Sequence, residues 1–557
     1  MKISRRQLLQ RSTALGFGSL VPVWASGCGG GDGDNLPPLP TDLPVYSYDG
    51  TLGPETMFEH GVASGDPLVD GIVLWTRASA TDAGTVDVWW EIALDQEFQK
   101  RVAQGTVTTN ADVDYTAKVD VRGLIWGRDY YYRFFAQGRQ SPVGRTRLIP
   151  EEGVDRVRFG VVSCASLAHG YFHAYRNLAQ RKDIDAVLHL GDYIYEYGDG
   201  EYPCPDDSEP QLRLYEPSHE IISLLDYRTR YSQYRRDPDL QLLHQQMPFI
   251  NVWDDHETAD NAWMGGATNH NETVSSCGDP RPGNQDGDWA TRKAIAMQVF
   301  FEWLPIREHP MLQIYRTFNY TSLVDLIMLD TRLIGREQQF PGILFGYGMT
   351  APLPEQLMGP TQEAWLEEQL KQSTAKWRLL GQQVVMSYWR IGDQYANPDA
   401  WHGYPVARQH VLDMITNNSI ENVVVLTGDV HSSWAMDVTP VAFEDYNPDT
   451  GAGAVAVEFV TPAITSPGSA VAASLINGAG EYANHIGFFE TVSHGYMIVD
   501  VQQDKVQADW YYVDGLEENQ GVERFGAAWA TMSGAHHRIE MSGPESDGDG
   551  PALVSNA

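Results

Sequence analysis

Basic residues are scarce in this chain: 39 Lys and Arg stand against 74 Asp and Glu over 557 residues, a formal net charge of −35. A field of that sign repels polyanions and argues against a stable nucleic-acid complex. It leaves a phosphate ester open as a substrate, because bound metal ions can reverse the field locally. Long apolar runs are missing too. The stretch "STALGFGSLVPVWASG" near the N-terminus is too short for a permanent membrane span. No internal repeat is visible. A Ser-His-Asp hydrolase would need Gly-x-Ser-x-Gly after a strand, and "VVSCAS" does not supply it. What is present is 42% hydrophobic and 20% charged residues, a globular composition. The length calls for two or more domains.

Cysteine is rare, and its four positions have distinct contexts. Cys28 lies at the end of an N-terminal targeting segment. Cys164 ("VVSCAS") follows an apolar strand, whereas Cys204 ("YPCPDD") and Cys277 ("SSCGDP") sit in polar, loop-like stretches. Residues 1–28 read as an export signal: paired Arg5 and Arg6 in "SRRQLLQ", a short apolar stretch, then small residues. The arginine pair with two leucines behind it resembles the twin-arginine motif. The twin-arginine translocation machinery is then a partner, and the protein is expected to be exported: periplasmic, secreted or anchored in the cell envelope. Two processing sites compete. "ASGC" resembles a lipobox that would acylate Cys28, although Ala25 stands where leucine is usual; "VWA" fits ordinary cleavage. In an oxidising compartment a Cys204–Cys277 disulfide is expected, which leaves Cys164 as the unpaired thiol of the body.

Beyond a linker over 29–55, residues 56–150 read as an all-β sandwich of the immunoglobulin or fibronectin-III kind. Its strands are "GIVLWTR", "VDVWWEIAL", "TAKVDVRGL" and "DYYYRFFAQG". From 155 to 515 continuously apolar runs recur: "VRFGVVS", "AVLHL", "FINVW", "SLVDLIMLD", "WRLLGQQVVM", "NVVVLTG" and "AVEFVT". Helix-like stretches such as "WATRKAIAMQVFFEWL" separate several of them, so the fold class is α/β with sheets buried on both faces. Residues 516–557 are read as an extension with a loose acidic tail.

In such sheets ligands bind beyond the carboxyl ends of the strands. Four strand ends carry metal-binding residue types: Cys164; Asp192 with Tyr195 three residues on; Asp254, Asp255, His256 and Glu257; and Asp429 with His431. Each alone could be a turn, a cap or a core residue. Together, at one expected edge, they point to a metal site. Cys164, Asp192, Tyr195 and His431 offer thiolate, carboxylate, phenolate and imidazole, a set suited to ferric iron. Asp192, Asp255 and Asp429 offer oxygen, which favours calcium, magnesium or manganese. Two ions sharing Asp192 could clamp a phosphoryl group and activate water or hydroxide for in-line attack. His256 would serve as proton donor or electrostatic stabiliser at the leaving oxygen.

These residues resemble the calcineurin-like metallophosphoesterases, and Tyr195 matches the iron-binding tyrosine of the purple acid phosphatases among them. Departures mark a subgroup. Cys164 stands where the first aspartate would be, "WDDHE" replaces Gly-Asn-His-Glu, and "GDVH" replaces Gly-His-x-His. With "HLGDYIYEYG", "DYRTRYSQYRRDPDLQ", "VDLIMLDTR" and "EFVTPAITSPG" in the same order, the chain is similar to the PhoD family of alkaline phosphatases and phosphodiesterases. The resemblance implies a four-layer β-sandwich flanked by helices, Fe3+ and Ca2+ as cofactors, and hydrolysis of phosphomonoesters or phosphodiesters outside the cytoplasm. Phosphate also needs donors, for which His169, Arg228 and Arg230 are the candidates, and Asn261 is a further oxygen near the calcium side. Trp401, His402 and Tyr404 line the cleft or form a packed loop. Two rivals stand: a phospholipase D-like phosphodiesterase acting on lipid or wall polymers, and a metal-stabilised surface protein without catalysis.

Overall fold

A computed structural model describes residues 40, 43–79, 84–125, 128–151, 153–202, 210–274, 277, 283, 285–341, 345–346, 352–391, 394–395, 397–440, 445–468, 474 and 483–545. The export signal, both processing sites with Cys28, and Cys204 lie outside the described residues.

The apolar runs pair into two large sheets. In the first, Arg156–Val162, Ala186–His189 and Pro248–Asn251 run parallel. His494–Gln502 continues this sheet antiparallel beside Arg156–Val162, followed outward by Lys505–Asp514, Val522–Met532 and Arg538–Glu540. In the second, Val324–Met328, Trp377–Gln382, Val423–Thr427 and Ala456–Val460 are parallel neighbours. These central strands are apolar on both faces because both faces are covered. Phe159 of the first sheet meets Tyr320 of the second edge to face, ring centroids 5.1 Å apart. Its neighbour Gly160 points the other way, where a Cβ would stand 2.9 Å from Leu178 of the helix His173–Ala179. On the outer face of the second sheet, Ile327, Leu380 and Val425 pack with Leu366, Val411 and Ile415 of the helices Gly359–Gln372 and Pro405–Asn417. Helix, sheet, sheet, helix is the four-layer α/β arrangement expected from the sequence.

The N-terminal region is a β-sandwich that shares a layer with this body. Val62–Gly65 pairs in parallel with Pro248–Asn251, and Gly71–Arg77 and Thr116–Arg122 follow it. These three strands complete a ten-stranded sheet. A five-stranded sheet built on Val86–Ala93, Arg101–Thr109 and Asp129–Ala136 covers them, with Val88, Trp90, Ile92 and Phe134 packed against Ile72, Leu74 and Val121. At the other end, Val522–Met532 and Arg538–Glu540 are sheet strands beyond residue 515. The backbone carbonyl of Glu545 accepts from Arg156 and Arg158.

Candidate metal centre

Each parallel strand releases the chain at the same rim, and the chain turns there abruptly. Cys164, Asp192, Asp429 and His431 have φ of 59°, 54°, 65° and 50°, the left-handed region that non-glycine residues rarely occupy. Strain of this kind persists where surrounding structure holds it. Gly191, at φ 108°, allows the approach: a Cβ there would stand 2.3 Å from the Cβ of Asp254. Glu257 then pins two strand ends together, accepting the backbone N–H groups of Asp192 (3.0 Å), Tyr193 (2.7 Å) and Asp254 (2.8 Å).

One half of the rim joins Cys164, Asp192 and His431, whose ligand atoms lie within 4.8 Å of one another. The Tyr195 hydroxyl reaches the same point, 3.0 Å from Asp192 Oδ2 and 3.2 Å from His431 Nε2. Ser466 Oγ stands 2.6 Å from that hydroxyl and 2.9 Å from the Cys164 carbonyl oxygen. His431 Nδ1 faces the Pro467 carbonyl oxygen at 2.9 Å, which places the ring proton there and leaves Nε2 as a lone-pair donor. Burial holds His431 near a pKa of about 4, hence neutral at pH 7. Burial and the Asp192 carboxylate push the Cys164 thiol and the Tyr195 phenol well above their usual ranges. Burial raises Asp192 as well, and its Oδ1 is buried without a hydrogen-bond partner. Acid groups crowded this way keep their protons unless a cation joins them. The donor set fits a Lewis-acidic ion that takes thiolate, phenolate and imidazole.

The other half joins Asp254, Asp255 and Asp429, again with ligand atoms within 4.8 Å. Here a cation is already built in. Arg332 is fully buried. It pairs with Asp254, with Asp399 at 2.6 Å, with Asp429 at 2.7 Å and with Asp255 at 3.5 Å. Burial pushes Asp255 upward, but Arg332 and His256 outweigh it and hold the carboxyl below the usual range. Asp254 Oδ2 has no hydrogen-bond partner. An oxygen-rich set with one orphaned carboxylate oxygen fits a hard divalent cation such as calcium.

His256 stands between the halves. Its ring stacks on Tyr195 with centroids 4.2 Å apart, and Nε2 lies 3.9 Å from Asp255 Oδ2. Burial would lower its pKa, but Asp255, Glu196 and Asp192 outweigh that and raise it well above the ordinary value. A ring kept protonated at this place can donate to a leaving oxygen.

Other candidates divide. His169 borders the centre: Nδ1 lies 2.7 Å from Ser166 Oγ, the ring packs on Tyr202, and Nε2 is buried without a partner. Arg228 and Arg230 do not reach the rim, which corrects the expectation that they bind phosphate. Arg228 forks onto Glu302, with Nε and Nη2 each 2.8 Å from a carboxylate oxygen, and donates to the carbonyls of Ala111 and Asp112. Arg230 is fully buried and donates to the backbone carbonyls of Tyr195, Tyr197, Glu216 and Pro217. Both guanidinium groups are spent on holding segments together. Asn261 contributes its backbone N–H to Asp255 Oδ2 (2.6 Å), while its side-chain amide donates to Asp260. Trp401, His402 and Tyr404 are buried and form a packed loop. Cys277 is disulfide-bonded. Its Sγ lies 2.9 Å from the carbonyl oxygen of Glu201. Cys164 is the free cysteine of the described residues.

Reading strand ends missed Arg332, although "LIMLDTR" ends the strand Val324–Met328 at the same rim. It also passed over Glu196, which follows Tyr195 directly, and Ser466.

With that geometry in place, comparisons with known proteins identify the chemistry. The family model of the PhoD-like phosphatase matches residues 159–510, and that of the PhoD-like phosphatase N-terminal domain matches 50–150. Alkaline phosphatase D of Bacillus subtilis (strain 168) is 35% identical over 519 residues, covering 87% of this chain and 82% of that protein. A solved structure of PhoD superposes with a TM-score of 0.77 at 33% identity, covering 91% of this chain and 95% of that one. The class is therefore a phosphoesterase hydrolase, an enzyme that cleaves phosphate esters. Within that class, the chain belongs to the PhoD-like phosphatase family.

Proposed function

We propose that this protein is an exported, metal-dependent phosphohydrolase working with ferric iron and calcium. Cys164, Asp192, Tyr195 and His431 would hold the iron; Asp192, Asp255 and Asp429 would hold calcium. The observation that carries the reading is the gathering of buried Cys, Asp and His ligand atoms at one rim, with Asp192 Oδ1 and Asp254 Oδ2 buried without hydrogen-bond partners. When bound, such ions supply Lewis acidity toward phosphoryl oxygens and lower the pKa of water. The chain's own residues do the rest. Asp192 ties the two halves together. Tyr195 and Ser466 order the iron side, and Asp255 fixes the charge beside His256. His256 gives a proton to the alcohol oxygen as it leaves. Phosphomonoesters and phosphodiesters are both substrates on this reading.

Export is supported by the Arg5–Arg6 signal and by the disulfide at Cys277, a bond that persists in oxidising compartments. The twin-arginine route would carry the chain out folded, and acylation of Cys28 would anchor it. The test is hydrolysis of a 4-nitrophenyl phosphodiester and the matching monoester by purified protein, with chelator and with restored calcium. Turnover that chelator abolishes and calcium restores is expected. Turnover indifferent to chelator sinks the reading.

A further inference from the structure

We infer that Glu196 is a positioning residue for proton transfer by His256, an inference that rests on the donor role proposed for that histidine. Glu196 is fully buried. Its Oε1 accepts the backbone N–H of Asp260 and the side-chain amide of Asn269, each at 2.7 Å. Its Oε2 stands 2.7 Å from His256 Nδ1. A carboxylate only accepts. Nδ1 therefore carries a proton, and Nε2 is the atom free to exchange one with substrate.

The ring has little freedom to do otherwise. It is stacked on Tyr195 with planes 25° apart, and its Nε2 side faces Asp255 and Asp192. The proton balance follows. As the bond from phosphorus to the alcohol oxygen breaks, the Nε2 proton passes to that oxygen. The ring returns to neutral with Nδ1–H still held by Glu196. Solvent water then restores the proton on Nε2.

Glu196→Gln inverts this arrangement at nearly constant shape. Two N–H groups already claim Oε1, so the amide oxygen stays with them and the NH2 faces Nδ1. Nδ1 must then accept. The sole ring proton sits on Nε2, and giving it away would leave an imidazolate. Asn269→Ala is milder: it frees one lone pair of Oε1 and loosens the carboxylate without touching the ring.

The experiment uses the purified, metal-loaded protein and two substrates of one series, a 4-nitrophenyl ester and a phenyl ester. The nitrophenolate leaves without help; the phenolate needs a proton. Glu196→Gln is expected to lower kcat on the phenyl ester by about 100-fold or more, and on the nitrophenyl ester by less than about tenfold. KM and iron and calcium content should stay unchanged. His256→Ala should show the same selectivity. Asn269→Ala should show a smaller selective loss, about threefold to tenfold, and stands in if Glu196→Gln does not fold. Equal losses on both esters in the Glu196 and Asn269 variants, with His256→Ala selective, overturn the positioning role alone. An unselective His256→Ala overturns the donor assignment beneath it.

Discussion

The two halves of the rim solve the same problem differently. On the Asp254–Asp255–Asp429 side, three carboxylates are gathered around a buried guanidinium, so much of their charge is neutralised by the chain itself. On the Cys164–Asp192–Tyr195–His431 side, no Lys or Arg bonds to any ligand atom among the described residues; Ser163, Ser466 and the Pro467 carbonyl bond there, and the neighbouring cation is the His256 ring stacked on Tyr195. Burial favours the protonated thiol and phenol there, and an incoming ion must displace those protons. A built-in cation makes a site that can stand empty. A cluster with no guanidinium bonded to its ligands is a site whose full set of interactions exists only with metal in place.

The hardest blow to this contrast is Asp192→Asn, because the two proposed ligand sets share Asp192. We expect loss of iron and calcium together, by elemental analysis, and loss of turnover exceeding the roughly 10–100-fold that removal of an outer partner costs. Retention of one metal would mean the halves do not share it. His256→Ala comes next: turnover of a phenyl ester should fall about 100- to 10,000-fold, and of the nitrophenyl ester far less, while both metals stay.

Arg332→Met attacks the self-neutralised half. Removing one partner of a buried ion pair costs about 3–5 kcal/mol. Thermal unfolding of chelated protein should show that loss, and millimolar calcium should recover much of it. If calcium does nothing for this variant, the carboxylates there do not bind it.

How much of this was legible in the sequence follows the physics of each signal. Continuous apolar runs placed the buried strands, because both faces of the sheets are covered. The short strand Val62–Gly65 was not legible: four residues carry no periodicity, and its parallel pairing with Pro248–Asn251 is a long-range contact that joins the sandwich to the catalytic sheet. The ligand-type residues stood out because Cys, Asp and His after a strand are chemically conspicuous. Arg332 did not, since an arginine in sequence looks like a surface cation. Arg228 and Arg230 failed as phosphate donors for the converse reason: helical spacing does not reveal which arginine is occupied by Glu302 or by backbone carbonyls.

A milder way to probe the contrast is pH. Burial raises Glu257 to about 8, and Asp260 and Asp429 to about 7. The metal-free fold holds these protons where the unfolded chain, with carboxyl pKa values of about 4, has lost them. Their contribution is fully present below about pH 4 and is lost as pH rises through 7 to 8. Buried histidines work the other way below their unfolded value of about 6.5: His431 and His485 lie near 4, and His169, His189 and His402 near 3. The carboxyl contribution is read by difference: on going from pH 6 to pH 8, the chelated parent should lose melting temperature relative to chelated Asp429→Asn, which has no proton to lose there. A difference between the two proteins that does not change with pH would contradict the crowding at Asp429.

The smallest effect on the site is expected from Arg228→Ala. This guanidinium ties the helix Leu224–Arg235 to Glu302 and to the carbonyls of Ala111 and Asp112 in the N-terminal sandwich. Losing its charged hydrogen bonds should cost roughly 1.5–3 kcal/mol of stability. Turnover and metal content should not change, because Arg228 touches no ligand. A selective rise in KM for phosphate esters would return Arg228 to the substrate. Unchanged kinetics in a less stable protein would leave Arg332 as the cation at the rim and Arg228 as a clamp that holds the sandwich against the body.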